Sequence, residues 1–512
     1  MMKRGSHGSD ACYFAALTPT KELFTQGATE RQNLFRITKE AKSVRIRRWL
    51  PRLAVGILFL LFLLSQVRTV RADAPPAAAP TGFWERSNLL GDMGGLRTYL
   101  GNYGITFFLS ETSEALGNVT GGTKHGMDYD GAIAMSLNFD LDKMSGWKGG
   151  TFFVSALQLH GRNLSADYLH NIQSVSGIEA ERATRLWELW FQQSFAGGKA
   201  DVKIGQIGID QEFIVSQCCC LYLNAMMGWP VLPAADLYAG GPAFPLSSPA
   251  VRLRVQPSDS VTVLAGVFDD NPPGGSFDDD SQLRDAEASG ARFNMTTGAL
   301  FIGEVQYAVN QPAGGCRGKS TGLPGTYKLG AWYDTAKFPD QRFDTSGNLL
   351  AVTGGTPRMD RSNFSIYGIA DQAMWKEDNG PRMVSAFTRL MGAPSDRNLI
   401  DWALTAGVNC NALLPGRDND VCGIGYGWAH ISTGATDYDK DTAAQDVDTF
   451  TPVRGAEQFI ELTYQCQICP WWIIQPDLQY VIDPGGGAAD PLNPSRTIGN
   501  ELVLSVRTII NF

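Results

Sequence analysis

The sequence lacks the features that identify most enzymes, nucleic-acid-binding proteins and helical membrane proteins. It contains five histidines in 512 residues, and it has no HExxH zinc motif. Its 43 lysines and arginines are outnumbered by 52 aspartates and glutamates, so there is no basic excess to bind a phosphate backbone. Beyond residue 72, no apolar run reaches the roughly 18 residues of a membrane helix. We therefore predict no enzymatic activity, no cofactor, no metal site and no nucleic-acid partner.

The charges are unevenly distributed between the amino-terminal part and the rest of the chain. Residues 1–72 contain 13 basic and 4 acidic residues, which leaves 30 basic and 48 acidic residues, a net charge of −18, for the remainder. The basic segment RIRRWLPR precedes twelve apolar residues, Leu53–Leu64, as in a secretory signal. We predict a signal peptide over 44–72 that is cleaved between Ala72 and Asp73, after a small residue.

The regions on either side of this signal are not expected to form globular structure. Residues 1–43 are polar and without a clear period, and they are either a functional extension or the product of a mis-assigned start. Residues 73–82 are rich in proline and alanine and predict a stiff, extended spacer. The folded body is therefore assigned to 83–512.

Alternation with a period of two dominates this body. In DGAIAMSLNFDLD (130–142), apolar residues alternate with small or polar ones, and ELVLSVRTIINF (501–512) has the same pattern. Sixteen candidate strands follow: 106–116, 130–142, 151–160, 185–194, 201–209, 251–256, 260–268, 299–309, 326–333, 363–372, 382–390, 398–409, 421–431, 459–464, 472–480 and 500–512. The alternation predicts an all-β fold. The even number of strands predicts that they close into a transmembrane antiparallel β-barrel of about 16 strands.

A short helix is predicted within 88–103, before the first strand. Long external loops rich in Gly, Pro, Asp and Asn connect the strands, and the acidic run from Asp437 to Asp448 is interpreted as a solvated loop. A large soluble β-sandwich or propeller is the alternative fold, since its strands also alternate. The secretory signal and the aromatic residues near strand ends favour the barrel.

Several long motifs resemble one family. FWERSNLLGDMGGLRTYLGNYGI (Phe83–Ile105), the block Ser155–Phe195, PAVRLRV (Pro249–Val255) and PWWIIQPDLQYVIDPGG (Pro470–Gly486) are similar to the carbohydrate-selective outer-membrane porins, the OprB-like family. The resemblance covers essentially all of 83–512. It implies a sixteen-stranded barrel in the outer membrane of a Gram-negative bacterium, through which sugars and small ions diffuse passively.

The resemblance also implies partners. These are mono- or oligosaccharide solutes, outer-membrane lipid and the barrel-assembly machinery, to which the terminal Phe512 would present the carboxy-terminal signal. The barrel would be a monomer or a homotrimer. Two other functions stay open, namely a secreted periplasmic sugar-binding β-protein without a pore and a barrel-embedded hydrolase.

A pore for neutral sugars needs many weak hydrogen bonds and no single deep site. Charged forks, amides and flat aromatic faces supply such contacts, and the block 162–192 contains all three. Alternation along 185–194 predicts that Trp187 faces lipid while Glu188 and Trp190 face the lumen. The candidates for a narrow charged ring and its sugar contacts are Arg162, Glu179, Arg182, Arg185, Glu188, Trp190, as a stacking surface, and Gln192. Ordinary loop salt bridges or a helical turn are the alternative for Glu179, Arg182 and Arg185.

A weaker second set of pore candidates follows in the chain. It comprises Gln206, Asp210 and Glu212, although solvated carboxylates are common at the end of a strand. Among the cysteines, Cys410 and Cys422 flank a short connection between two candidate strands, so they could face each other across a hairpin. They form the predicted disulfide pair of a protein in an oxidising compartment.

Overall fold

The computed structural model describes residues 82–277, 288–311, 322–445 and 449–512. The predicted extension, signal peptide and cleavage site at Ala72 and Asp73 lie outside the described residues, as does all of the spacer except Gly82. Within the described ranges, no helix is both long enough and apolar enough to cross a membrane.

Sixteen strands of the described chain form one closed antiparallel barrel, in which each strand pairs with its neighbour in sequence and the last strand pairs with the first. Each of the sixteen predicted segments corresponds to one strand, so the predicted fold is confirmed. The strands are β1 Ile105–Gly122, β2 Gly126–Asp140, β3 Gly150–Gly161, β4 Ala183–Phe195, β5 Ala200–Ile207, β6 Ser248–Ser258, β7 Val261–Asp269, β8 Ala299–Val309, β9 Gly325–Asp344, β10 Pro357–Lys376, β11 Met383–Gly392, β12 Ile400–Asn411, β13 Val421–Ile431, β14 Ala456–Cys469, β15 Trp472–Ile482 and β18 Gly499–Asn511. The strands β16 Ala489–Asp490 and β17 Asn493–Thr497 form a separate small hairpin.

The alternation of the sequence becomes the two faces of this wall. On β8, Phe301 and Val305 point outward and are 45% and 49% exposed, whereas Glu304 between them points inward and is 2% exposed. Closure pairs Ser110 of β1 with Asn511 of β18, so the barrel has no free edge. An apolar outer face and a fully paired backbone are what a lipid environment requires.

Helices are short and lie in the connections. They are α1 Leu96–Asn102, α2 Leu141–Ser145, α3 Ala225–Gly228, α4 Val231–Asp236, α5 Leu350–Thr353, α6 Thr433–Gln445 and α7 Pro484–Gly487. Single 3₁₀ turns occur at Phe83–Glu85, Met93–Gly95, Ala196–Gly198, Ile209–Gln211, Cys219–Leu221 and Tyr238–Gly240, and a π turn at Ser165–Leu169. The helix α1 lies within the predicted region before the first strand.

The acidic run beginning at Asp437 is not the solvated loop that we predicted. Residues 433–445 form α6, and Arg342 binds Asp437 and Asp441 at 2.8 and 2.7 Å. Arg454 binds Asp439 at 2.8 Å. The arginines that neutralise these carboxylates are supplied by a distant strand and by the following loop, so the local sequence alone suggested solvation. Asp448 lies outside the described residues.

The two ends of the barrel differ. At the termini end, Arg97 of α1 donates hydrogen bonds to the carbonyl of Phe107 and to a backbone carboxylate oxygen of Phe512, and the indole of Trp471 donates to the carbonyl of Phe83. At the opposite, loop end, long connections join the strands, and two of them fold back into the lumen. We call 208–247, between β5 and β6, the first inward segment, and 162–182, between β3 and β4, the second inward segment. Together they form the interior core.

Candidate pore constriction

The first inward segment spans the lumen. It leaves the wall between β5 and β6, and its side chains reach β13, eight strands away in a ring of sixteen. On β13 the sequence GIGYG places Gly423, Gly425 and Gly427 on the inner face. A Cβ at Gly425 would lie 2.6 Å from Cε of Met227 and 2.8 Å from the ring of Tyr222. Glycine is therefore needed there because the segment packs directly on the strand.

Carboxylates of the inner wall fix the backbone of this segment. Glu304 on β8 accepts a hydrogen bond from the N–H of Ile214 at 3.0 Å, and Asp371 on β10 accepts one from the N–H of Gln217 at 3.0 Å. Glu461 on β14 accepts two, from Leu223 at 2.5 Å and from Asn224 at 3.2 Å. Each of these carboxyl groups satisfies a backbone donor that would be costly to leave unpaired, so the path of the segment is set by the wall.

Arg389 on β11 binds the same segment through its carbonyl groups. Its guanidinium donates to Ile214 at 3.2 Å, to Met227 at 3.1 Å and to Gly228 at 2.8 Å, and it also donates to Met226. The side chain is 1% exposed. A planar fork with five donors suits several carbonyls at once, so Arg389 pins the centre of the segment.

The second inward segment lies beside the first. Glu457 on β14 accepts hydrogen bonds from the N–H groups of Ile172 at 2.7 Å and Gln173 at 2.6 Å. The two segments are joined directly, because the N–H of Gly177 donates to the carbonyl of Leu223 at 2.7 Å. The lumen is thus narrowed by one connected body rather than by a single loop.

The opposite side of the lumen carries a charged patch on β5 and β6, which we define as Asp201, Lys203, Glu212, Arg252 and Arg254. Glu212 enters it from the first inward segment and forms ion pairs with Lys203 and, at 2.8 Å, with Arg252. Asp201 binds Arg252 and, at 2.6 Å, Arg254. Three cations and two carboxylates alternate, so the patch is close to neutral and rich in hydrogen-bond groups.

Two predicted lumen residues border this patch. Oε1 of Gln192 accepts from Arg252 at 3.2 Å, as a pore-lining amide should. The ring of Trp190 stacks on Phe153 with centroids 4.8 Å apart, and Nζ of Lys203 lies 3.9 Å from its centroid. The indole is already in contact with a ring and a cation, so Trp190 supports the patch, and its role as a stacking surface for a sugar stays a prediction.

The remaining candidates do not form one ring. Arg162 binds Asp167 at 2.8 Å and Arg182 donates to the carbonyl of Gly161 at 2.7 Å, both at the loop end and exposed. Ten residues separate Arg182 from Gln192, which is about 33 Å along an extended strand. The predicted residues therefore lie at different heights in the barrel, and only those near the charged patch are brought together.

Five candidates are buried in the protein. Glu188 accepts from the N–H of Gly208 at 3.1 Å, and the amide of Gln206 donates to Ser247 at 2.8 Å and to two carbonyls. Arg185 is 2% exposed. Burial raises the pKa of Glu179 to about 8, although the N–H of Ser165 donates to it. Burial likewise raises the pKa of Asp210 to about 7. These side chains hold the inward segments in place.

The prediction that Trp187 faces lipid is wrong. Trp187 is 1% exposed and meets Phe244 of the first inward segment edge to face, with centroids 5.5 Å apart. The cause is an irregularity in the β3–β4 register between Val154 and Ala156, opposite Leu189 and Leu186. Such a bulge shifts the alternation by one residue, which a strict period of two cannot anticipate.

Sequence reasoning missed Asp201, Lys203, Arg252 and Arg254. A signal was present, because alternation in VRLRV puts both arginines on one face, and alternation in ADVKIGQI does the same for Asp201 and Lys203. The anchoring residues Glu304, Asp371, Arg389 and Glu461 were also missed, and their roles depend on partners far away in sequence. Among the described residues, no group of three or more His, Cys, Asp or Glu is arranged to hold a metal ion.

The cysteines are placed partly as expected. Cys410 and Cys422 are direct partners in the β12–β13 register, and both are free thiols in this structure. Cys220 is disulfide-bonded. The predicted pair is thus correctly aligned, and its oxidation remains a prediction.

Comparisons with known proteins agree with this architecture. A family model described as carbohydrate-selective porin, OprB family, matches residues 124–512. Porin B of Pseudomonas aeruginosa is 29% identical over 459 residues, covering 84% of this chain and 93% of that protein. The high-pH structure of OprB from Pseudomonas putida superposes with a TM-score of 0.74 at 26% identity, covering 84% of this chain and all of that one. The low-pH structure of the same protein gives a TM-score of 0.50 at 19% identity.

Proposed function

The chain belongs to the OprB family of carbohydrate-selective porins, and from this premise we propose that sugars cross its barrel between the first inward segment and the charged patch. The protein is an outer-membrane β-barrel porin that lets carbohydrates diffuse passively. A closed barrel supports this role and not that of the pore-less sugar-binding protein. We propose no bond-making chemistry for it.

One observation carries the proposed path. The first inward segment covers the wall from β8 to β14. Its backbone is hydrogen-bonded to the wall carboxylates and to Arg389. Among the carboxylates of that segment, Glu212 is the one that binds the charged patch, through Lys203 and Arg252. A solute that passes the segment therefore meets the patch and Gln192.

The chemistry of the patch suits a neutral polyol. Lys203, Arg252 and Arg254 donate hydrogen bonds, and Asp201 and Glu212 accept them, so a sugar hydroxyl can replace one such contact with little net loss. No deep single site results, which allows a bound sugar to leave quickly. We propose Gln192, Lys203, Glu212 and Arg252 as the principal sugar contacts.

Sugar-titrated single-channel recording tests this function. We expect stepwise conductance in planar bilayers and a concentration-dependent block by neutral sugars, with Gln192→Ala changing the block and leaving heat-modifiable migration intact. As a matched control, Gln193→Ala alters the neighbouring amide, which binds the indole of Trp147 and the backbone near it instead of the patch. A channel that sugars never block would contradict the proposal.

We further propose the processing and assembly expected from the sequence. Amino-terminal sequencing of the outer-membrane protein should start at Asp73, and deletion of Phe512 should slow barrel assembly. Thiol alkylation followed by mass spectrometry should find Cys410 and Cys422 oxidised together in protein isolated from its compartment. The native mass in detergent distinguishes a monomer from a homotrimer.

A further inference from the structure

A cavity lies at the loop end of the barrel, beside the first inward segment. Its volume is about 680 Å³. Its walls come from the connections that follow β3, β5, β7, β9, β11, β13 and β15, including Asp236 of the first inward segment and Tyr438 of α6. A cavity of this size is typical of small-molecule sites.

The charged groups that line this cavity are already engaged by the protein. Oδ1 of Asp340 accepts from the N–H groups of Arg342 and Phe343, both at 2.8 Å, and Oδ2 binds Arg358 at 2.5 Å. Asp439 is paired with Arg454 at 2.8 Å, and Oδ1 of Asp236 accepts from the N–H of Leu399 at 2.8 Å. Two of the three carboxylates that line the cavity, Asp340 and Asp439, are thus neutralised by arginines, and Asp236 is held by a backbone N–H.

The neutral polar groups of the cavity can still form hydrogen bonds with a ligand. Asn171 is 3% exposed, and within the described ranges its Oδ1 accepts no hydrogen bond. Nδ1 of His170 is likewise buried and has no partner there. Burial, aided by the nearby Lys124, lowers the pKa of His170, so its ring is neutral at pH 7. Gln341 and Tyr438 line the same cavity and can each donate and accept.

We propose that this cavity is a binding subsite for a neutral, hydroxyl-rich solute the size of a mono- or disaccharide, occupied at the loop end before the solute reaches the charged patch. The inference rests on the proposed function, because the ligand is the sugar that the channel conducts. Neutral donors and acceptors recognise hydroxyl groups, and an ionised ligand gains no additional charge pairing from carboxylates that arginines already neutralise, as at Asp340 and Asp439. The cavity and the patch would act in series.

Single-channel recording with one-sided addition of sugar tests the subsite. Maltose is the neutral probe and gluconate the charged one, each added first to the loop side and then to the termini side. We expect the Gln341→Ala/Tyr438→Phe double variant to lower the association rate of maltose from the loop side about fivefold, as the loss of one or two hydrogen bonds implies. Gluconate block, open-channel conductance and maltose entry from the termini side should be unchanged.

The controls separate this inference from the proposed function. Gln445→Ala changes the same helix α6 away from the cavity lining and should behave as the wild type. If the double variant fails to fold, the single variant Tyr438→Phe, which keeps the ring, should still lower the loop-side association rate of maltose, by a smaller factor. An unaltered loop-side rate in folded variants, or an equal loss for maltose and gluconate, overturns the subsite alone. A wild-type channel that no sugar blocks overturns the proposed function as well.

Discussion

The two sides of the inner wall use the same charged residue types in different ways. On β8 to β14, Glu304, Asp371, Arg389 and Glu461 bind backbone groups of the first inward segment. On β5 and β6, the members of the charged patch bind one another. A side chain that holds a buried peptide group cannot serve a passing solute without leaving that group unpaired, whereas the members of the patch are bound to other side chains, of which Arg254 is 30% exposed, and we propose that these contacts can exchange partners. The polar lumen is thus divided into a scaffold side and a solute side.

The largest effect on the scaffold side is expected from a substitution of Arg389. We expect Arg389→Met to leave several buried carbonyls without a donor, at a cost on the order of 3 kcal/mol to the docking of the first inward segment. The segment would lose its fixed path, so conductance should rise and the size limit for sugars should relax. Conductance and liposome swelling with sugars of increasing size measure both effects.

A conservative variant at the same position provides the control. Arg389→Lys keeps the charge but not the planar fork, so its effect should lie between those of wild type and Arg389→Met. If Arg389→Met keeps heat-modifiable migration, the wild-type conductance and the wild-type size limit, then Arg389 does not fix the constriction.

A smaller loss on the scaffold side is expected from Glu461→Gln. In the substituted side chain a single amide oxygen replaces the two oxygens that accept the N–H groups of Leu223 and Asn224. We expect a cost of about 1–2 kcal/mol and frequent transitions between conductance levels. Glu111→Gln, on β1 and away from the segment, is the matched control and should leave the current quiet. Equal current noise in both variants would contradict the anchoring role.

The barrel wall could be predicted from the sequence because its signal is local. The alternation that places Phe301 outward and Glu304 inward operates over two or three residues, and all sixteen strands follow from it. The same signal would have grouped Arg252 with Arg254. Where the chain departs from regular pairing, as at the irregularity beside Trp187, the prediction failed.

The scaffold side could not be predicted in this way. Glu461 lies 238 residues from Leu223, its hydrogen-bond partner, and Asp371 lies 154 residues from Gln217. Nothing in the neighbourhood of a wall glutamate says whether a sugar, an arginine or a peptide N–H will meet it. The location of the constriction is set by these long-range contacts, so sequence reasoning found residues of the right type and spread them over several heights.

On the solute side, Arg252→Gln should alter selectivity without disturbing the scaffold. Removing one of the three cations takes away the net positive charge of the patch, so we expect the reversal potential in a salt gradient to shift towards cation selectivity and sugar block to weaken about two- to fivefold. The size limit should not change, because Arg389 and Glu461 still hold the segment. Arg254→Gln, at the more exposed edge of the patch, should shift the reversal potential in the same direction but by a smaller amount. A relaxed size limit in Arg252→Gln would show that the two sides are not separate.

The smallest effect on conduction is expected at Glu179, a carboxylate that belongs to neither side. It is wholly buried in the second inward segment, where burial raises its pKa to about 8 from an ordinary value near 4.5. Between these values the folded protein holds a proton that the unfolded chain has released, so the free energy of unfolding should fall by about 1.4 kcal/mol per pH unit as the pH rises through this window. Below about 4.5 and above about 8 this contribution is constant. In Glu179→Gln, which cannot ionise, the heat-modification temperature should fall less between pH 5 and pH 9 than in the wild type. Parallel pH profiles for the two proteins would show that Glu179 is already ionised in the folded barrel.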